Sequence, residues 1–128
     1  MKGKILVIDD EEAFREFVAE VLRDAGYETI EAQNCGEALS LARRNTLIAV
    51  ITDLVMPEMT GAEFMTRLRS GGSDVPIIAM TGHPMGDSVL AESEKSVRAD
   101  LVLYKPFMAS DICRAVEQVT RKKVMVMK

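Results

Sequence analysis

The sequence predicts an open α/β fold, a five-stranded parallel sheet with helices on both faces. Apolar runs at residues 5–8, 47–51 and 77–80 show no alternation, as strands buried on both faces require, and residues 101–104 supply a further strand. Segments with apolar residues at helical spacing separate most of them, and right-handed βαβ crossovers make such a sheet parallel. Polar residues stand where the runs end, namely Asp9 and Asp10, Asp53, Thr81 and Lys105. In open α/β sheets, ligands gather at those carboxyl ends.

Residues 5–8 form the first strand and run into four acids, Asp9, Asp10, Glu11 and Glu12. From Ala13, the spacing of Phe14, Phe17, Val18, Val21, Leu22 and Ala25 predicts a helix, with Gly26 as its C-terminal cap. Residues 27–32 alternate more and suit a less buried edge strand. Asn34, with Glu37 three residues on, predicts a helix N-cap, and Ala38, Leu41 and Ala42 supply the inner face. Residues 47–53 deliver Asp53 to a loop containing Met56, Pro57 and Gly61. Thr60 and Glu63 form a second capping pair, ahead of a helix whose Phe64, Met65 and Leu68 face inward and which Gly71 and Gly72 end. The fourth strand stops at Thr81 and Gly82. Residues 83–99 carry only Val89, Leu90 and Val97 as large apolar side chains, which predicts a mobile loop and a marginal helix. The fifth strand ends at Lys105 and Pro106. Ile112, Val116 and Val119 then mark a last helix reaching about Lys122, whose C-terminal dipole Arg121, Lys122 and Lys123 complement.

At 128 residues the chain is expected to form one domain, 1–128, large enough for a real core. With 48% hydrophobic and 28% charged residues it reads as globular. It has no apolar segment long enough for a bilayer span or a signal-peptide core, so no membrane insertion and a cytoplasmic location are expected. Cys35 and Cys113 lie far apart and lack metal-ligand spacing, which argues against a disulfide framework or a zinc site. The net charge of -4 argues against direct binding to nucleic acid, which requires a basic face.

If the acids after strands 1 and 3 share a site, those strands must be neighbours flanking the point where the winding reverses. That gives the order 2-1-3-4-5, the flavodoxin-like winding. Asp9, Asp10 and Asp53 then crowd together, and carboxylates so placed resist ionising together unless a cation is present. Oxygen ligands with no His or Cys nearby favour Mg2+, which binds through carboxylates, waters and a phosphate oxygen. Lys105 adds a compact positive charge and Thr81 a hydroxyl donor, a set that suits a phosphoryl group.

With these motifs in place, the sequence resembles the receiver domain of two-component response regulators, CheY-like in kind, over nearly the whole chain. Asp9 and Asp10, Asp53 followed by Met56-Pro57 and Gly61, Thr81-Gly82, and Lys105-Pro106-Phe107 stand in family order and at family-like spacing. The resemblance implies that Asp53 is the phosphoacceptor, taking its phosphoryl group from a sensor histidine kinase or a phosphotransfer protein. It implies Asp10 and Asp53 as direct Mg2+ ligands, Asp9 as a ligand through water, and the Val55 backbone carbonyl as a further ligand. Lys105 would pair with a phosphoryl oxygen, Thr81 would hydrogen-bond to it, and the Lys105-Pro106 bond is a candidate cis peptide. Thr81, Val102, Lys105 and Pro106 would form the switch region that acts on an output partner protein, with a second copy of the chain as another candidate partner. Catalysis is expected only of the chain's own phosphorylation and dephosphorylation.

Two positions depart from the family pattern. Val102 stands where many receivers carry an aromatic, and Arg98 where a glycine often precedes Ala-Asp. His83, the only histidine, reads either as an exposed loop residue or as a group tuning water access. Three other functions compete. A pseudo-receiver would be a phosphorylation-independent protein-interaction module, but all five site positions are filled. A phosphatase of the haloacid dehalogenase-like kind needs an acid two residues after a strand 1 nucleophile and a cap insertion, which the sequence does not match. A flavin phosphate would be repelled by the acidic loop after strand 1.

Overall fold

In the computed structural model, alternation of short apolar runs with amphipathic segments resolves into β1 (Lys4–Ile8), α1 (Glu12–Asp24), β2 (Glu28–Ala32), α2 (Cys35–Arg44), β3 (Ala49–Asp53), α3 (Gly61–Ser70), β4 (Ile77–Thr81), β5 (Leu101–Tyr104) and α4 (Ala109–Met127). The structure describes residues 2–54, 59–82 and 99–127, and in them all side chains except those of Ala62 and 122–127. The expected loop residues Val55, Met56 and Pro57, and the segment at 83–98 with His83 and Arg98, lie outside the described residues. The five strands pair in parallel in the order β2-β1-β3-β4-β5, as the shared-site argument requires.

β1, β3 and β4 have the two-sided burial that their composition predicts, whereas β5, at the edge of the sheet, is only partly buried and its Tyr104 is exposed. On β1, Leu6 and Ile8 join the core under α2 and α3, whereas Ile5 and Val7 join the core under α1 and α4. β3 divides likewise, with Val50 on the first side and Ala49 and Ile51 on the second. β4 repeats the arrangement through Ile77 and Ala79 against Ile78 and Met80. Successive side chains point to opposite faces, so an unbroken apolar run fills both layers. Phe64 and Met65 of α3 are fully buried, and truncating either would cost about 2–5 kcal/mol.

Local signals fix the helix ends. The Asn34 side chain accepts from Glu37 N at 2.8 Å, and the Thr60 hydroxyl accepts from Glu63 N at 3.1 Å, the two N-caps expected from sequence. Gly26 follows α1 with φ of 101°, a conformation that L side chains rarely adopt. Three expectations need correction. Phe17 lies on the outer flank of α1 and is exposed, because Val18, Ala19 and Leu22 fill the inner stripe. α4 continues to Met127, so Arg121, Lys122 and Lys123 lie within the helix rather than at its C-terminal end. β2 and β3 begin at Glu28 and Ala49, one and two residues later than the apolar pattern suggests. Among the described residues no helix is long and apolar enough to cross a membrane.

Candidate functional site

The carboxyl ends of β1, β3, β4 and β5 lie side by side, and the polar residues that terminate them meet there. Carboxylate oxygens of Asp9, Asp10 and Asp53 all lie within 4.8 Å of one another. Asp9 and Asp53 are buried and Asp10 is exposed. Asp9 Oδ1 accepts a hydrogen bond from Glu11 N at 2.9 Å, which turns the acidic loop back on itself at the start of α1. Arg15 fixes the same loop from the helix, donating to the Asp9 carbonyl at 2.9 Å and to Glu31 Oε1 at 3.1 Å. Asp9 Oδ2 is buried with no hydrogen-bond partner.

Lys105 reaches into this cluster from beyond β5. Its backbone N–H donates to the Thr81 carbonyl at 2.7 Å, and the Lys105-Pro106 peptide is cis, as the resemblance implied. The ammonium stands 3.0 Å from Asp53 Oδ2 and 3.7 Å from Asp9 Oδ2. Burial pushes the Asp9 carboxyl above its ordinary value. The charges of Asp53 and Asp10 act the same way, and the Glu11 N–H and Lys105 oppose them. The end of β3 is held from two sides just beyond Asp53. Leu54 N donates to the Met80 carbonyl at 2.9 Å, and Gly61 N to the Leu54 carbonyl at 2.9 Å. A Cβ on Gly61 would stand 2.5 Å from the Asp53 carbonyl oxygen, so only glycine permits this close approach.

Thr81 is the last residue of β4, fully buried and paired in register with Tyr104. Val102 sits on β5 opposite Ala79 and packs half-buried against the core under α2 and α3. Pro106 is exposed. Asp9, Asp10 and Asp53 are thus in mutual reach, Lys105 reaches Asp53 and Asp9, and Val102 packs against the core instead. Sequence reasoning missed three contributors. Phe14 was read only as a core residue of α1, yet its ring centroid lies 4.3 Å from Lys105 Nζ. Arg15, which anchors the Asp9 carbonyl, gave no signal beyond its place just after the acids. Asp100, beside the expected start of β5, accepts from Ile77 N at 2.8 Å and meets Arg69 at 3.5 Å, tying α3 to the start of β4.

A hard divalent cation fits this donor set. Three carboxylates crowd within one cation's reach, Lys105 is the one cationic side chain paired with Asp9 or Asp53 among the described residues, and a buried carboxylate oxygen lacks a donor. The sheet order together with the acid-and-lysine cluster defines a receiver-type α/β protein. The family model for the response regulator receiver domain matches residues 5–117, and the chain belongs to that family. It is 39% identical over 103 residues to a response regulator receiver protein of Anaeromyxobacter sp. (strain Fw109-5), covering 80% of this chain and 42% of that one. It is 34% identical over 122 residues to the response regulator MprA of Mycobacterium sp. (strain KMS), covering 95% of this chain and 52% of the relative. The chain therefore spans about half the length of these curated relatives. Among solved structures, chemotaxis protein CheY4 of Vibrio cholerae superposes with a TM-score of 0.84 at 31% identity, covering 93% of this chain and 99% of that one. The chain is accordingly a response regulator receiver domain, a component of two-component signalling.

Proposed function

We propose that this receiver is a phosphoacceptor, that residues 1–128 act as one domain, and that Asp53 is the residue modified. The observation that carries the reading is the Lys105 ammonium 3.0 Å from Asp53 Oδ2 inside a three-carboxylate cluster. A carboxylate oxygen of Asp53 attacks phosphorus and forms the O–P bond of an acyl phosphate. The bond from phosphorus to the donor breaks, and the donor atom leaves with the electron pair. The donor is the phosphohistidine of a sensor kinase or phosphotransfer protein. Asp9, Asp10 and Asp53, with the Val55 carbonyl assigned by family resemblance alone, would hold Mg2+. When bound, the metal neutralises charge on the acids and on the transferring group. Lys105 neutralises a phosphoryl oxygen, and Thr81, at the adjacent strand end, donates its hydroxyl to another.

The consequence is a switch. Moving a two-state surface from mostly off to mostly on takes about 5.5 kcal/mol of differential stabilisation. Charge-assisted hydrogen bonds contribute about 1.5–3 kcal/mol each, so new contacts from Lys105 and Thr81 supply much of it. Val102 cannot act as an aromatic reporter, so the change passes through Thr81, Lys105 and Pro106 themselves to a surface read by a partner protein.

Intact mass decides the matter. With Mg2+ and a small acyl-phosphate donor, the wild-type chain should gain one phosphoryl group and Asp53→Asn none. No adduct on the wild-type chain would replace this reading with that of a phosphorylation-independent interaction module.

A further inference from the structure

We propose that Phe14 is a positioning residue for Lys105. Its ring holds the ammonium beside Asp53 and Asp9, and Phe107 braces the ring. The effect on phosphorylation rests on the phosphoacceptor reading, whereas the contact itself does not.

Lys105 Nζ lies 4.3 Å from the Phe14 ring centroid, well inside the range of cation–π attraction. Phe107 meets Phe14 edge to face, with centroids 5.6 Å apart and planes at 73°. The rings come from separate elements. Phe14 sits in the first turn of α1 directly after the acids, and Phe107 follows Lys105-Pro106. Both pack against the core between the sheet and the α1 and α4 layer. The segment that delivers Lys105 therefore also supplies the brace for the ring that receives it.

A lysine stem is flexible, and carboxylates attract its ammonium without fixing one rotamer. Here the backbone at the root of the stem is held, where Lys105 N donates to the Thr81 carbonyl at 2.7 Å. Among the described residues the head is held by the ring and the two acids. An aromatic face stabilises the charge without accepting a conventional N–H hydrogen bond, so the donors remain available to oxygens. On phosphorylation the ammonium can then transfer a donor from Asp53 Oδ2 to a phosphoryl oxygen without leaving its seat. An aliphatic side chain of similar size fills the space but has no quadrupole to hold the cation.

That difference gives the test. In the metal-free full chain, the Lys105 ε-methylene protons, assigned by their loss in Lys105→Arg, should be shifted upfield by the ring current. The shift should vanish in Phe14→Leu and persist in Phe14→Tyr. With acetyl phosphate and saturating Mg2+, Phe14→Leu should lower the maximal rate of adduct formation by about three- to tenfold, and Phe14→Tyr should stay within about twofold. The Mg2+ concentration for half-maximal rate should not move in either variant. An unshifted Lys105 resonance in the wild type, or a Phe14→Leu variant phosphorylated at the wild-type rate, overturns the proposal. So does an equal loss in both variants with a matching fall in thermal midpoint, which is the signature of packing alone. A wild-type chain that shows the ring-current shift but no adduct refutes the phosphoacceptor reading while the Lys105 contact stands.

Discussion

Lys105 and Asp53 are 52 residues apart in sequence and 3.0 Å apart at Nζ and Oδ2. Their strands are not neighbours, because β4 lies between β3 and β5. The lysine reaches across β4, anchored there through its own N–H on the Thr81 carbonyl. The charged ends are 22% and 12% exposed, so solvent screens the pair less than an ion pair on the open surface.

Replacing that ammonium separates catalysis from metal binding. Lys105→Ala should slow phosphorylation by about a hundredfold, the order found when one preorganised donor to developing charge is removed. Mg2+ affinity should hold or tighten, because a cation competing for Asp53 has gone. Calorimetric Mg2+ titration beside a phosphorylation time course checks both. A loss of metal affinity would show that Lys105 does not have the role assigned to it.

The cysteines should differ sharply in reactivity. Cys35 is buried against the α2 and α3 core, and burial pushes its thiol up to about 11. The thiolate is the nucleophile, so Cys35 should resist alkylation at pH 8 in the folded chain. Cys113 is partly exposed on α4 and should be modified first. Iodoacetamide labelling followed by peptide mass mapping, with and without denaturant, measures the ratio. Equal labelling of the two under native conditions would contradict the packing around α2.

Much of this arrangement was legible in the sequence because its causes are local. Two-sided burial is written into apolar runs such as residues 77–80, and the caps at Asn34 and Thr60 are declared by the residue and its partner three positions on. The strand order followed from chemistry, since acids that share a site must end adjacent strands. What escaped notice depends on contacts between distant segments. Phe14 has the spacing of a helix core residue, and nothing in that spacing shows a lysine ammonium over its ring. Phe17 fits the same apolar stripe, yet the helix is already filled by Val18, Ala19 and Leu22. The pairing of Asp100 with Ile77 N and Arg69 likewise required the folded chain.

Gly61 tests how tightly Asp53 is held. A Cβ there would meet the Asp53 carbonyl oxygen at 2.5 Å and the Leu54 Cα at 2.8 Å, both backbone atoms that cannot swing aside. Gly61→Ala should therefore cost about 1–3 kcal/mol of stability. It should also slow adduct formation by displacing the end of β3. Urea unfolding gives the first effect and the phosphorylation rate the second. A variant as stable and as reactive as wild type would mean that the α3 entry relaxes freely.

Asp9 should make the metal-free fold less stable as pH rises. Burial holds its carboxyl above the ordinary 3.8, so the folded chain keeps a proton that the unfolded chain has released. With more protons bound in the folded state, stability falls with pH from near 3.8 up through the folded value and levels off above it. The cause is burial of the carboxylate, whose Oδ2 has no hydrogen-bond partner among the described residues and faces the Lys105 ammonium at 3.7 Å, while Oδ1 accepts from Glu11 N. Asp9→Asn removes that charge and should stabilise the metal-free chain by about 1 kcal/mol at pH 7, with the gain shrinking towards pH 4. Mg2+ should narrow the gap, because the wild-type acids gain a cation and the variant loses a ligand. Urea titrations of both chains at pH 4 and pH 7, each with chelator and with Mg2+, give the four comparisons. An Asp9→Asn variant less stable than wild type in chelator at pH 7 would show that the Asp9–Lys105 attraction outweighs the burial of the charge.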